Sequence, residues 1–515
     1  MAARHAGHPR RPRRPSWSVA LVVVVTGLAW PSLPMRAAAP APRPWVEVTS
    51  PHFTVISDAG EKRAARAAWQ FEQVRAVLGR LWPWARLATG KPVVIFAARD
   101  ENTMKGLAPA FWEVKGGIRP AGVFVTGPDR HYVAVRTDIE EPDSVQANPY
   151  YASYWSYVFI TLQASFEREL PMWLGRGLSD LFANTIVRDK DIQVGRVIPW
   201  YLKELRDQGR LRLQGVLGAD SRSRQATREA EARAFDASAW VLVHYLGFGE
   251  SGANLPKLNQ FLELVSKGRD VNAALVDVYG PLDRLDGTLQ NYIDRTMYTY
   301  KLIGLDVNVS ADGFTARPLA AAEAAASRGM FLAVSRRPAE AHRLAQEAAQ
   351  AAPGLPVSFD VDGMVADIDG QRDAALAAYA KACELGSTNF YSYYRHAQLL
   401  WKPTLDRASL EELAKLLGTS IRLNTSWAPG YSFLAEVRTD LGEADAALGM
   451  ARRAIALEPG ASSHHGSAAR ALARLSKLDE AIKEAERALA LARTPEERQH
   501  AQNLLSHFKQ IAKRP

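Results

Sequence analysis

Apolar positions change their spacing as the chain proceeds. "WVEVTSPHFTVIS", from residue 45, alternates over two short runs and predicts one or two strands. "EKRAARAAWQFEQVRAVLGRL" then sets Phe71, Val74, Leu78 and Leu81 three or four apart, which is one face of a helix. "KPVVIFAA" is continuously apolar and predicts a short buried strand, while "AGVFV" and "HYVAV" flank "TGPDR" as a hairpin would. "GPDR" at 127–130 reads as its turn rather than as a phosphate loop. From about residue 150 the period becomes helical, with helices predicted at 151–166, 172–187, 229–247, 254–267 and 283–300. The charged, poorly patterned stretch "RDQGRLRLQGVLGADSRSRQATREAEAR" between them reads as a solvated connector.

The last 200 residues are alanine-rich and periodic. Ala341 and Ala348 recur as Ala375 and Ala382, and Ala447 and Ala454 recur as Ala481 and Ala488, each time 34 residues on. Pro353 and Pro459 stand five residues after Ala348 and Ala454 and close their repeats. Ser420 continues the series if "KPTL" (402–405) is a four-residue insertion. A small residue at fixed helical positions lets two helices approach closely, and the proline ends the second one. These features resemble the tetratricopeptide repeat family. They predict five repeats over 319–493, closed by a capping helix at 494–515, and a concave groove for a protein or peptide.

Charge adds less than its total suggests. The net +9 includes six arginines in residues 1–39 and no acid there, leaving 58 basic against 55 acidic residues elsewhere. That balance gives no nucleic-acid footprint. The leader itself has a basic stretch, the thirteen-residue apolar run Ser18–Trp30 and the small-residue run Ala37-Ala38-Ala39. It reads as a secretion signal to a periplasmic destination, or as an uncleaved inner-membrane anchor, with a basic tail as the bland alternative. The Pro-rich segment 40–44 follows as a linker. Cys383 is the only cysteine, so no intrachain disulfide or thiol–zinc site exists, and its small-residue surroundings predict a packed, inert thiol.

Residues 45–300 resemble the thermolysin-type zinc-peptidase-like domain family. The resemblance runs in order through "SPHFTVISDAGEKRAARAA", "GVFVTGPDRHYVAV", "LPMWLGRGLSDLF", "FDASAWVLVHYL" and "FLELVSKGRDVNAALVDVYGPLDRLDGTLQNYI". It implies an α+β fold, a small α/β layer leading into a helical lobe, with 301–318 as a linker to the all-α repeats. Such peptidases carry H-E-x-x-H on the helix before the Trp-Leu element, the histidines holding zinc and the glutamate activating its water. Carried onto this chain, the first histidine falls at Trp155, the general base at Ser156, the second histidine at Phe159 and the third ligand at Arg176. None of the four can serve. Trp155 and Phe159 keep the i, i+4 relation and would fill the metal's space, and the Arg176 cation would repel a divalent ion.

No catalytic, cofactor or metal residue is therefore expected. His131 and His244 are the only histidines between residues 54 and 341, and His244 on its apolar helix is expected to be a satisfied core histidine. The expectation is an exported pseudopeptidase that binds protein through its repeats. Two alternatives stand beside it. One is a hydrolase rebuilt on Asp180, Glu167 or Glu169. The other is an envelope assembly factor whose peptidase-like part binds glycan or lipid.

Overall fold

A computed structural model describes residues 44–513 except 118, 140–147, 221, 224–227 and 305–312; the expected leader (1–39) and most of the Pro-rich linker lie outside the described residues. Nine strands make two sheets among the described residues. β1 (Trp45–Thr49), β2 (Phe53–Ser57), β3 (Val93–Ala98), β4 (Gly122–Thr126), β5 (His131–Arg136) and β9 (Thr315–Leu319) form one, in the order β4-β5-β3-β2-β1-β9. Its centre is parallel, β2 to β3 to β5, and both edges are antiparallel. β6 (Ile186–Val187), β7 (Asp191–Val194) and β8 (Lys301–Gly304) form the second.

The unbroken apolar run of β3 is explained by burial on both faces. Val93, Ile95 and Ala97 face the helix Glu61–Leu81 and the helical lobe. Phe96 and Ala98, with Ile56, Tyr132 and Ala134, face the opposite way. That second face is covered by Met104 and Leu107 and by the first helix of the repeat part, whose Phe331 meets Phe96 and Tyr132 edge-on at centroid distances of 5.3 and 6.2 Å. The α/β layer and the repeats thus share one core.

The lobe contains the helices Tyr151–Ser165, Met172–Ala183, Glu229–Phe248, Leu255–Ser266 and Leu282–Ile293. Several expectations need correction. The second predicted helix stops at Ala183 because 186–187 joins the small sheet. Val271–Tyr279 is an additional helix, started by the Asp270 cap on Ala273 N. The connector holds a short helix, Leu213–Leu217, whose Leu213 and Val216 are buried. The stretch read as a linker, 301–318, begins with β8 and ends in β9, which pairs along the whole of β1.

Five helix pairs follow. They are Ala321–Val334 with Pro338–Ala351, Pro356–Ile368 with Arg372–Glu384, Phe390–Leu400 with Arg407–Leu423, Ala428–Asp440 with Ala444–Leu457, and Ser462–Arg474 with Leu478–Leu491. A closing helix, Pro495–Ile511, starts with a capping box between Thr494 and Glu497. The recurring alanines at 341, 348, 375, 382, 447, 454, 481 and 488 are all buried, as close helix packing requires. Pro353 and Pro459 lie two residues beyond the second helices of pairs one and four. Residues 402–405 lie in the turn inside pair three, which runs 401–406 where pair two needs only 369–371. Among the described residues no helix is long and apolar enough to cross a membrane.

Candidate functional site

Two regions bring functional side chains together: the place where the peptidase-like resemblance puts a metal site, and the face made by the first helices of successive pairs.

The first lies where the helices Tyr151–Ser165, Met172–Ala183 and Glu229–Phe248 pack. Pro171 is extended and starts the second helix after a break in the first. Gly177 lets this helix press on the third: a Cβ there would stand 2.6 Å from Val243 Cγ2 and 2.7 Å from the Ala239 carbonyl oxygen. Trp155 and Phe159, one turn apart, stack on each other with centroids 5.0 Å apart and planes 13° from parallel. Phe159 rests over Gly175, and Ser156 is half-buried beside them.

Arg176 donates to Asp236 at 2.8 Å and stands 5.9 Å from the Phe235 ring. Asp180, 1% exposed, accepts from the Tyr151 hydroxyl with the Trp155 indole beside it. Burial pushes the Asp180 carboxyl well above the usual carboxylate range, against the pull of those donors. Asp236 is raised by burial too, with Arg176 opposing. The positions where the resemblance would place metal ligands therefore hold an aromatic stack, an arginine–carboxylate pair and a shielded carboxyl that favours its neutral form.

Asp180 does not stand with Glu167. Glu167 is exposed and pairs with Arg487 of the fifth helix pair, and its carbonyl accepts from Arg493 at 3.1 Å. Glu169 is exposed on the same loop. The three carboxylates proposed for a rebuilt site are not assembled as one. Asp236 and Tyr151, which do complete the cluster, were not singled out from the sequence. An aspartate in the apolar run "FDASAWVLVHYL" was the available signal, since a charge there needs a partner.

His244 is fully buried and satisfied, its Nδ1 at 2.8 Å from the Tyr292 hydroxyl and its Nε2 at 2.8 Å from the Gly195 carbonyl. Burial lowers its pKa to about 4. His131 begins β5, away from His244, and burial lowers it to about 4 as well. Among the described residues no three His, Cys, Asp or Glu side chains stand close enough to hold a metal ion. Burial pushes the Cys383 thiol up to about 12, which fits a packed residue and not a nucleophile.

The second region is a ladder. Asp367 on the first helix of pair two receives both Nε (2.8 Å) and Nη2 (2.6 Å) of Arg395 on that of pair three. Arg395 Nη1 also donates to Gln398, which donates to the Tyr394 hydroxyl. Tyr394 meets Phe433 of pair four edge-on at 6.1 Å. Glu436 of pair four lies 3.4 Å from Arg470 of pair five. Arg395 keeps 28% of its side-chain surface exposed, Glu436 32% and Arg470 32%. Charges of both signs thus remain accessible along the first helices of pairs three to five, with aromatic rings on pairs three and four.

The loops joining one pair to the next face the N-terminal part. Asn389 reaches Asp129 at 3.4 Å, Asn424 donates to the Gly90 carbonyl at 2.9 Å, and the Leu457 carbonyl accepts from Arg86 at 3.4 Å. The "GPDR" turn also packs against the repeats. Its Asp129 is fully buried, accepts from Tyr132 and pairs with Arg130. Beside it Asp360 of pair two is held by the hydroxyls of Ser387 and Ser392.

No protein-family model matches the chain, and no curated protein does. Solved structures match about a third of it. YrrB, described as a TPR protein with an unusual peptide-binding site, is 15% identical, with 35% of this chain and 92% of that one covered at a TM-score of 0.30. TTC0263 from Thermus thermophilus, a thermophilic TPR protein, is 21% identical over 35% and 99%, at 0.27. PilW, a type IV pilus biogenesis factor, is 9% identical over 37% and 92%, at 0.28.

Proposed function

We propose that this chain is an exported, non-catalytic protein that binds an extended segment of another protein along the first-helix face of its repeats. The peptidase-like part serves as scaffold. The observation that carries the reading is the Asp367–Arg395–Tyr394–Phe433–Glu436–Arg470 ladder, which is held in place yet keeps about a third of Arg395, Glu436 and Arg470 open to solvent. Charges that alternate in sign from one first helix to the next favour a polar, extended ligand, and the aromatic rings supply stacking area at low entropic cost. The inactive character of the scaffold is supported by the Trp155–Phe159 stack and the Arg176–Asp236 pair at the positions where the resemblance calls for ligands. A hydrolase built on Asp180 is disfavoured by its burial under Tyr151.

The test is a peptide-array screen with the full chain, followed by titration of the best binders against Arg395→Ala and Glu436→Ala. Each change should weaken binding about tenfold or more without a change in the circular-dichroism spectrum. Binding that survives both changes undiminished would remove the ladder from the interface. Stoichiometric zinc in the purified protein would overturn the non-catalytic reading.

A further inference from the structure

A cleft of about 200 Å³ lies between the N-terminal sheet and the loop joining pairs three and four. His52, just before β2, Arg75, Lys91 and Tyr157 line it on one side, and Asn424 and Ser426 on the other. Three of its lining residues are basic side chains and none is acidic.

Arg75 and Lys91 are held by neutral groups. Arg75 Nη1 donates to the Leu87 carbonyl, and its guanidinium also serves the Tyr157 phenol. Lys91 Nζ donates to the Gly127 carbonyl at 2.9 Å. The acids acting on Lys91 from further away are Asp129 and Glu458, and Asp129 is already taken by Arg130 at 3.0 Å and by the Tyr132 hydroxyl. Glu72, one turn before Arg75, is likewise engaged. Its Oε1 accepts from the Ser50 hydroxyl and His52 N, and its Oε2 faces His52 Nδ1, each at 2.8 Å. That fully used carboxylate fixes the imidazole, leaving Nε2 on a ring whose side chain is 48% exposed.

A cleft lined by an arginine and a lysine, with no carboxylate in its lining, concentrates anions, and a guanidinium is suited to bind one through paired N–H groups. We propose that this cleft binds a small oxyanion, a carboxylate or phosphate group, held by Arg75, Lys91 and His52. Asn424 and Ser426 come from the repeats, so the bound anion bridges the sheet and the helix pairs. The volume admits such a group.

Two sources share this chemistry, free inorganic phosphate and the terminal carboxylate of a peptide. Calorimetric titrations of the full chain at low ionic strength should use inorganic phosphate, acetate, and one short peptide with a free or an amidated C-terminus. Saturable heat with phosphate or acetate, or with the free but not the amidated peptide, is the expected result, and the arm that saturates identifies the source. Arg75→Gln should weaken it at least tenfold. His52→Gln and Lys91→Met should each weaken it severalfold, and they carry the test if Arg75→Gln does not fold. No saturation by any of these probes at about 10 mM, or affinities unchanged in the folded variants, would overturn the proposal.

Discussion

Replacing Phe331 with alanine removes a fully buried ring at the seam between the sheet and the repeats. The ring touches Phe96 of β3 and Tyr132 of β5 in edge-on geometry, at 73° and 89° between planes. A buried Phe→Ala change costs about 3–5 kcal/mol, and the two aromatic contacts place this site in the upper part of that range. Because the lost contacts belong to both parts, both should be weakened together. An unfolding entropy of about 2.1 cal/mol/K per residue over roughly 470 residues is about 1 kcal/mol/K, so a loss of about 4–5 kcal/mol lowers Tm by about 4–5 °C. Urea titration reads the two parts separately. Nine of the eleven tryptophans after residue 44 lie before residue 300, so fluorescence reports the N-terminal part, whereas ellipticity at 222 nm reports helices throughout. Both midpoints should fall by the same amount. A variant whose ellipticity midpoint drops while its fluorescence midpoint stays would refute the shared core.

Ala447 is fully buried within pair four, so Ala447→Phe should overpack it and cost roughly 1–3 kcal/mol, read as a lowered urea midpoint. Asp360 is raised by burial from 3.8 to about 6, so its protonated form is the one the fold favours. Its contribution is whole below pH 4 and lost as pH rises to about 6, roughly 3 kcal/mol in all. His244 and His131, lowered to about 4, act oppositely and lose stability as pH falls from 6.5. Asp360→Asn should remove the Asp360 part of the slope, checked by urea midpoints from pH 4 to 7. The quadruple change Trp155→His, Ser156→Glu, Phe159→His and Arg176→Glu should give a destabilised protein whose Tm rises with zinc, while the wild-type Tm ignores zinc and chelator alike. A wild-type Tm that falls on chelation would reveal a metal site.

Legibility in the sequence followed the physics of each element. The helix pairs were readable because close packing forces small residues to a fixed period, and Ala341 through Ala488 obey it. β3 was readable because a strand covered on both faces is apolar throughout. β9 was not, since in "TARPL" only Leu319 is buried and an edge strand facing water carries no alternation. Val271–Tyr279 was missed because its nine residues fall short of the window a helical period needs. At the candidate site, the replacements at 155, 156, 159 and 176 could be named from the resemblance. Their partners could not. Asp236 is 60 residues from Arg176 in the chain, and only packing brings them together.

The antiparallel seam between β1 and β9 has a consequence in time. Trp45 pairs with Leu319 and Thr49 with Thr315, and Arg317 reaches back to Glu47 across 270 positions. At roughly 5–20 residues per second, the ribosome leaves the edge of β1 without its neighbour for tens of seconds. Through that interval the nascent chain also lacks the helix that will cover Phe96 and Tyr132. An open edge and a bare apolar face are what neighbouring chains pair with and aggregate on. Maturation of the first 300 residues is thus gated by translation of the next twenty or thirty, and a chain halted at residue 300 would depend on a chaperone to stay in solution.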